Sequence, residues 1–266
     1  MSYLWIFLIA IAASTVSALV GLGGGILMIP FIILIFGLPV KYVAGTMLFA
    51  MVPYTIVATA RNLKQGYVNF KIGLIMESGS VIGVFSGAQF STILPDIALK
   101  ILFISVVLYL MLTLQIPNDS PYNYVARIFK KLNHIPPRID CTSSSGVKRL
   151  SVPALMIIGF AAGIFSGLLG IGGGFLKTPV LIVGVMLAPK IAVATALFMI
   201  FITATFGTIT HAFLGHIYYP LAMTVAGGMM IGAYFGTSIF KVIPDRKVKQ
   251  YIFIAMIIAG VFTFFR

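Results

Sequence analysis

The sequence predicts an all-α polytopic membrane protein built from two inverted-topology repeats, each a glycine-broken first helix pair followed by three spans. Three observations predict it. Apolar residues make up 60% of the chain and charged residues only 9%, too little charge to cover the surface of a soluble protein of this length. Apolar runs of about 18 residues or more, long enough to cross a bilayer, recur along the chain. And the sequence aligns with itself, without a gap, when shifted by 149 positions.

The repeat organises every element. SALVGLGGGILMIP at 17–30 lies over SGLLGIGGGFLKTP at 166–179, and 23 of the 88 positions from 17 to 104 are identical to their counterparts. Many of these are glycine or proline, so they mark shared backbone geometry rather than shared greasiness. The predicted layout is a transmembrane repeat at 1–116, a basic cytoplasmic linker at 117–150 and a second transmembrane repeat at 151–266.

The first apolar run of each half, 3–37 and 152–188, holds about 35 residues. As one helix it would be roughly 50 Å long, against a hydrocarbon core of about 30 Å. Each is interrupted by glycines, at 21–25 and 170–174. Clustered glycines weaken helix and allow reversal, so each run is expected to be two pieces with a turn between them. The N-terminal stretch lacks the basic start of a secretory leader, and its counterpart recurs mid-chain, so a membrane helix is expected there. Spans follow at 40–60, 68–92 and 97–116, and at 190–213, 217–240 and 244–265. Gly79, Gly83 and Gly87 match Gly228, Gly232 and Gly236; every fourth residue lies on one helix face, which predicts close helix packing.

In the linker, Tyr124, Val125, Ile128, Phe129 and Leu132 form an apolar stripe with Arg127, Lys130 and Lys131 between them. That pattern predicts a short helix over 121–133 lying on an anionic leaflet. The lone cysteine, Cys141, can make neither an internal disulfide nor a thiolate metal site.

Charge sets orientation. In half one the loop between the second and third spans carries Arg61, Lys64 and Lys71; the equivalent loop of half two, around His211 and His216, has no lysine or arginine. The next loop reverses the bias: Lys100 beside Asp96 in half one, but Lys241, Arg246, Lys247 and Lys249 in half two. A bias that flips between equivalent loops predicts inverted halves, with the linker and the 61–71 and 241–249 loops in the cytoplasm of an inner-membrane protein. Lys41 falls on the outer side in this scheme. The net charge of +13 is thereby accounted for by cytoplasmic loops. No basic face carries stacking aromatics, so a nucleic-acid partner is not expected.

Two halves that each open with a GxGGG segment followed by a proline, Gly21-Leu-Gly-Gly-Gly25 with Pro30 and Gly170-Ile-Gly-Gly-Gly174 with Pro179, resemble the sulfite exporter TauE/SafE family, also called TSUP. The resemblance covers residues 5–116 and 152–265. It implies transport of sulfite, sulfonates and related sulfur-containing anions, often outward. The long basic linker maps onto no motif of that family.

The residues suggest where a substrate would sit. A helix that restarts after a break exposes backbone N–H groups and the positive end of its dipole, and glycine lets an anion approach. Transporters with inverted repeats set two such breaks face to face. The candidate substrate site is therefore Gly23, Gly24 and Gly25 with Gly172, Gly173 and Gly174, the helices restarting at Ile26 and Phe175; a packed hinge is the alternative. Lys177, where half one has Met28, would either neutralise an anion or snorkel to the interface. Thr46 and Thr195 would either ligate an anion or bond within their own helices. Glu77 is the one acid inside an apolar run and the candidate for coupling to a proton, unless it lies near the cytoplasmic surface by Lys71. His211 and His216 are five apart, not at helical metal-ligand spacing, and are expected to face solvent.

The sequence thus predicts a transporter whose partners are a small anion and the lipid bilayer, with no cofactor, no metal site and no catalytic residues. An anion channel, or a carrier of a small carboxylate or a metal ion, is the alternative. An intramembrane enzyme would need a buried nucleophile with its base, or two membrane carboxylates, and Glu77 has no acidic neighbour in the sequence pattern.

Overall fold

The computed structural model describes residues 2–115, 124–143, 146–244 and 250. The predicted span at 244–265 and its loop charges Arg246, Lys247 and Lys249 lie outside the described residues.

The first half runs α1 (Ser2–Val20), α2 (Gly25–Phe36), α3 (Val40–Lys64), α4 (Phe70–Ile93) and α5 (Asp96–Gln115). The linker holds α6 (Tyr124–Leu132) and an antiparallel hairpin, β1 (Arg138–Ser143) with β2 (Gly146–Ser151), in which Asp140 pairs with Arg149 and Cys141 with Lys148. The second half runs α7 (Val152–Leu169), α8 (Gly174–Pro179), a π-helical turn (Val180–Gly184), α9 (Pro189–Phe213) and α10 (Tyr219–Val242). Among the described residues, α1, α3, α4, α7, α9 and α10 are long and apolar enough to cross a membrane.

The breaks fall where the glycines predict. Gly21, Gly23, Gly24, Gly170, Gly172 and Gly173 all have positive φ, between 71° and 87°, a region that costs a residue with a Cβ about 1–2 kcal/mol. The second pieces restart one residue earlier than expected, at Gly25 and Gly174. They also differ: α2 is one helix through Pro30, whereas α8 ends at Pro179 and widens into the π-turn.

The halves interlock. α4 of half one packs on α7 of half two, and α10 of half two packs on α1 of half one. The glycine stripes explain both. A Cβ at Gly79, Gly83 or Gly87 would run into the carbonyls of Met156, Phe160 and Ile164, and one at Gly159, Gly163 or Gly167 into those of Met76, Ser80 and Val84. With glycines on both helices the backbones touch. On the other side Gly228, Gly232 and Gly236 meet the carbonyls of Phe7, Ile11 and Thr15, and α1 answers with Ala10, Ser14 and Ala18. Between these pairs α3 and α9 pack against each other in the core.

The predicted linker helix is present, but its apolar stripe is divided. Ile128 is exposed, whereas Phe129 is buried with its ring against Gly184 of the π-turn. The hairpin was not predicted. Its six-residue strands carry Arg138, Lys148 and Arg149 and show little alternation, so a solvated basic loop was the reading that charge alone supported. It is anchored to the helices: Lys71 donates to the carbonyl of Asp140, Asn69 to the buried Sγ of Cys141, and Lys148 reaches Met186.

Candidate functional site at the paired glycine breaks

The two glycine turns meet. A Cβ on Gly25 would stand 2.7 Å from the carbonyl oxygen of Gly170, and one on Gly174 would stand 2.6 Å from that of Gly21. Met51 and Ile200, equivalent residues of α3 and α9, cover the meeting point. Each lies within about 3 Å of the Cβ positions of both Gly23 and Gly172. Residues 21–30 and 170–175 are buried throughout. Thr178 ties the turns together, its hydroxyl donating 2.9 Å to the carbonyl of Gly21.

One turn before each break lies a serine, Ser17 in α1 and Ser166 in α7. Their carbonyls accept from Gly21 N–H and Gly170 N–H, both at 2.8 Å. Their hydroxyls are buried and have no partner among the described residues. Buried hydroxyls in native structures are almost always bonded, so two equivalent orphans beside two equivalent breaks point to a polar occupant. Ser17 and Ser166 were visible in the sequence as the first identical pair of the repeat, but nothing there distinguished them from packing serines.

The side chains around the second break form a closed polar cluster. Lys177 in α8 is fully buried and does not snorkel. Its ammonium is ion-paired with Glu77 of α4 and donates 2.6 Å to the hydroxyl of Thr203 in α9. Glu77 is 2% exposed, so it is not at the surface near Lys71. A threonine hydroxyl has one hydrogen and two lone pairs. Thr203 gives that hydrogen to the other carboxylate oxygen of Glu77, at 2.6 Å, so it accepts from both Lys177 and Ser80, the latter at 3.2 Å. Two of the three N–H bonds of Lys177 are thus engaged, and its Nζ lies 3.4 Å from where a Cβ on Gly173 would stand. Charge within an apolar run marks Lys177 and Glu77 separately; their pairing, across 100 residues of chain, is not legible in the sequence.

The predicted threonines each accept a backbone N–H. Thr46 accepts the N–H of Tyr218 at 3.0 Å and Thr195 that of Asn69 at 2.9 Å. Equivalent threonines of α3 and α9 therefore hold equivalent residues just before α10 and α4. His211 and His216 are not where they were expected. Both are buried rather than solvent-facing. His211 Nε2 lies 2.8 Å from the carbonyl of Gly167 and must be the donor, so its Nδ1 accepts from His216 Nδ1 at 3.2 Å. Burial, and then the charge of Lys41, hold His216 below the ordinary histidine range. The pair closes the end of the α4–α7 contact. Among the described residues no three histidine, cysteine or acidic side chains gather to hold a metal.

A 360 Å³ cleft between α2 and α5 lies apart from all of these groups. Its lining is apolar except for Asp96 and Lys100, which pair with each other at 3.3 Å, Asp96 also accepting the N–H of Val40.

The family model described as sulfite exporter TauE/SafE matches residues 6–263. Two relatives from Bacillus subtilis (strain 168) align end to end. "Probable membrane transporter protein YunE" is 26% identical over 98% of this chain and 96% of its own length, and "Probable membrane transporter protein YdhB" is 26% identical over 98% and 99%. The Arabidopsis thaliana "Sulfite exporter TauE/SafE family protein 5" is 40% identical over a quarter of this chain, 25%, and 14% of its own. No solved structure matches.

Proposed function

This chain belongs to the sulfite exporter TauE/SafE family of multi-pass membrane transporters, and from that premise we propose that it carries small anions, sulfur-containing oxyanions or organosulfonates such as sulfite, across the inner membrane. The observation that carries the reading is the buried ammonium of Lys177, with an N–H to spare, beside the point where the two glycine breaks meet. An ionisable group among membrane spans is costly and marks a functional site. The anion would lie against the glycine backbones, between the orphan hydroxyls of Ser17 and Ser166. Small apolar residues and a few polar hydrogens suit a cargo that must be released again.

The test is anion binding to the purified full chain, with sulfite, sulfate, thiosulfate, methanesulfonate and acetate as probes. Ser17→Ala and Ser166→Ala add no bulk and leave no partner unpaired, so the fold is expected to survive. A hydrogen bond to a charged group contributes about 1.5–3 kcal/mol, so each change should weaken binding at least about tenfold. Gly24→Val with Gly173→Val should abolish it. Wild-type affinity in the folded double serine variant would place the anion elsewhere.

Alternating access between the two faces would follow from inverted halves. The reciprocal contacts of α4 with α7 and of α10 with α1, together with the flipped loop charges, support that reading. Single cysteines introduced at Gln65 and Leu214 in a Cys141→Ser background should label from opposite sides of the membrane. Labelling of both from one side would make the halves parallel.

A further inference from the structure

We infer that Glu77 is a tethered stand-in for the substrate: in the empty site its carboxylate occupies Lys177, and a monovalent anion enters only when Glu77 takes up a proton and lets Lys177 go. The inference rests on the anion site proposed above and adds its coupling.

As found, the cluster is neutral, one ammonium against one carboxylate, closed off by Thr203 and Ser80. An anion arriving at Lys177 without compensation leaves the cluster with a net negative charge in a buried place, where an unpaired charge is strongly disfavoured. Something must cancel it. Among the described residues, the other charged groups of the neighbouring elements are engaged elsewhere; on α5, Asp96 and Lys100 pair with each other at 3.3 Å. α7 has no titratable residue. On α4, Lys71 is at the far start of the helix, bonded to the Asp140 carbonyl. On α9, Lys190 and His211 sit at opposite ends, bonded to the carbonyls of Lys241 and Gly167. Lys177 is the sole charged partner of Glu77 among the described residues, so Glu77 is the group that can absorb the change.

The hydrogen bonds allow it. The step consumes one anion and one proton. The Lys177–Glu77 ion pair breaks, the proton bonds to a carboxylate oxygen of Glu77, and the ammonium pairs with the anion. When Lys177 withdraws, Thr203 loses one donor and regains a lone pair. The new O–H of Glu77 can donate to that lone pair. Every donor keeps an acceptor, and the site stays neutral with a monovalent anion and one proton aboard. A divalent anion would leave it negative, so the exchange selects monovalent species such as sulfonates and bisulfite.

The test uses the full-length chain in detergent and in proteoliposomes, with methanesulfonate, a monoanion at every working pH. Binding that takes up one proton should strengthen about tenfold for each unit the pH falls, in the range where Glu77 is ionised in the empty site. In Glu77→Gln, Lys177 is permanently free, so binding should lose its pH dependence and a pH gradient should no longer drive accumulation. The wild type supplies a second readout that needs no variant: adding methanesulfonate should raise a protonated-carboxyl C=O band in the infrared difference spectrum. Wild-type binding that is flat in pH, no such band, or sodium-dependent uptake without proton movement would overturn the inference alone. Failure of the wild type to bind methanesulfonate or sulfite at any pH would overturn the anion site itself.

Discussion

The two glycine breaks share a backbone and differ in chemistry. Around the second, Lys177, Glu77, Thr203 and Ser80 form the polar cluster. Their equivalents around the first, 149 positions earlier or later, are Met28, Ala226, Tyr54 and Met229. Met229 reaches over Gly24 where Lys177 reaches over Gly173. Duplication thus fixed the path of the chain twice, and only one copy acquired charge. The backbone turn and the ionic cluster are therefore separable features. The turn is needed to reverse the chain and bring the halves into contact. The charges serve no folding purpose that the other half does not meet with methionine and alanine.

If that is right, the ionic cluster should be removable as a unit but not in part. Lys177→Met alone leaves Glu77 buried without its counter-ion, and the expected cost is about 3–5 kcal/mol. Lys177→Met with Glu77→Ala copies the first break and should restore most of that stability. Anion binding should stay lost, because no ammonium remains. Thermal unfolding in detergent measures the first, a methanesulfonate titration the second. A double variant no more stable than the single would mean that the pair holds the helices together, and the two breaks would then differ in structure as well as chemistry.

Such a comparison also explains what could be seen in the sequence and what could not. The spans, the breaks and the glycine stripes follow from local pattern. Hydrophobic length and glycine spacing act through near neighbours in the chain, so α1 to α5 and α7 to α10 lie close to the expected runs. The partners of those stripes were not legible. That Gly79, Gly83 and Gly87 face α7 and not another helix depends on Gly159, Gly163 and Gly167 standing opposite, which spacing on one helix cannot reveal. The same limit separated Lys177 from Glu77. Identity across the repeat marked Thr46 and Thr195, and the structure gives both copies the same hydrogen bond to the backbone before the next helix. The histidines misled, since a short uncharged loop reads as exposed when it is in fact buried against Gly45, whose missing Cβ leaves room for the His216 carbonyl. Glu77, an isolated acid in the sequence, is in the structure buried beside a cation, Lys177.

The smallest expected effect sharpens the comparison at a single equivalent position, Thr203 against Tyr54. Thr203 bonds Lys177, Glu77 and Ser80, so Thr203→Val strips a hydroxyl from two charged groups and should cost about 2–3 kcal/mol. Tyr54 is fully buried and its hydroxyl has no partner among the described residues. Tyr54→Phe removes that oxygen and keeps the ring. With no bond to lose and a buried polar group relieved, stability should change by less than about 0.5 kcal/mol or rise. The unpartnered hydroxyl of Tyr54 is then, like those of Ser17 and Ser166, a group that the proposed anion would bond. Tyr54→Phe should therefore leave thermal unfolding of the empty protein nearly unchanged while lowering the stabilisation given by saturating methanesulfonate. If the variant instead destabilises the empty protein as much as Thr203→Val does, Tyr54 is bonded within the fold, and the first break is as closed a polar site as the second.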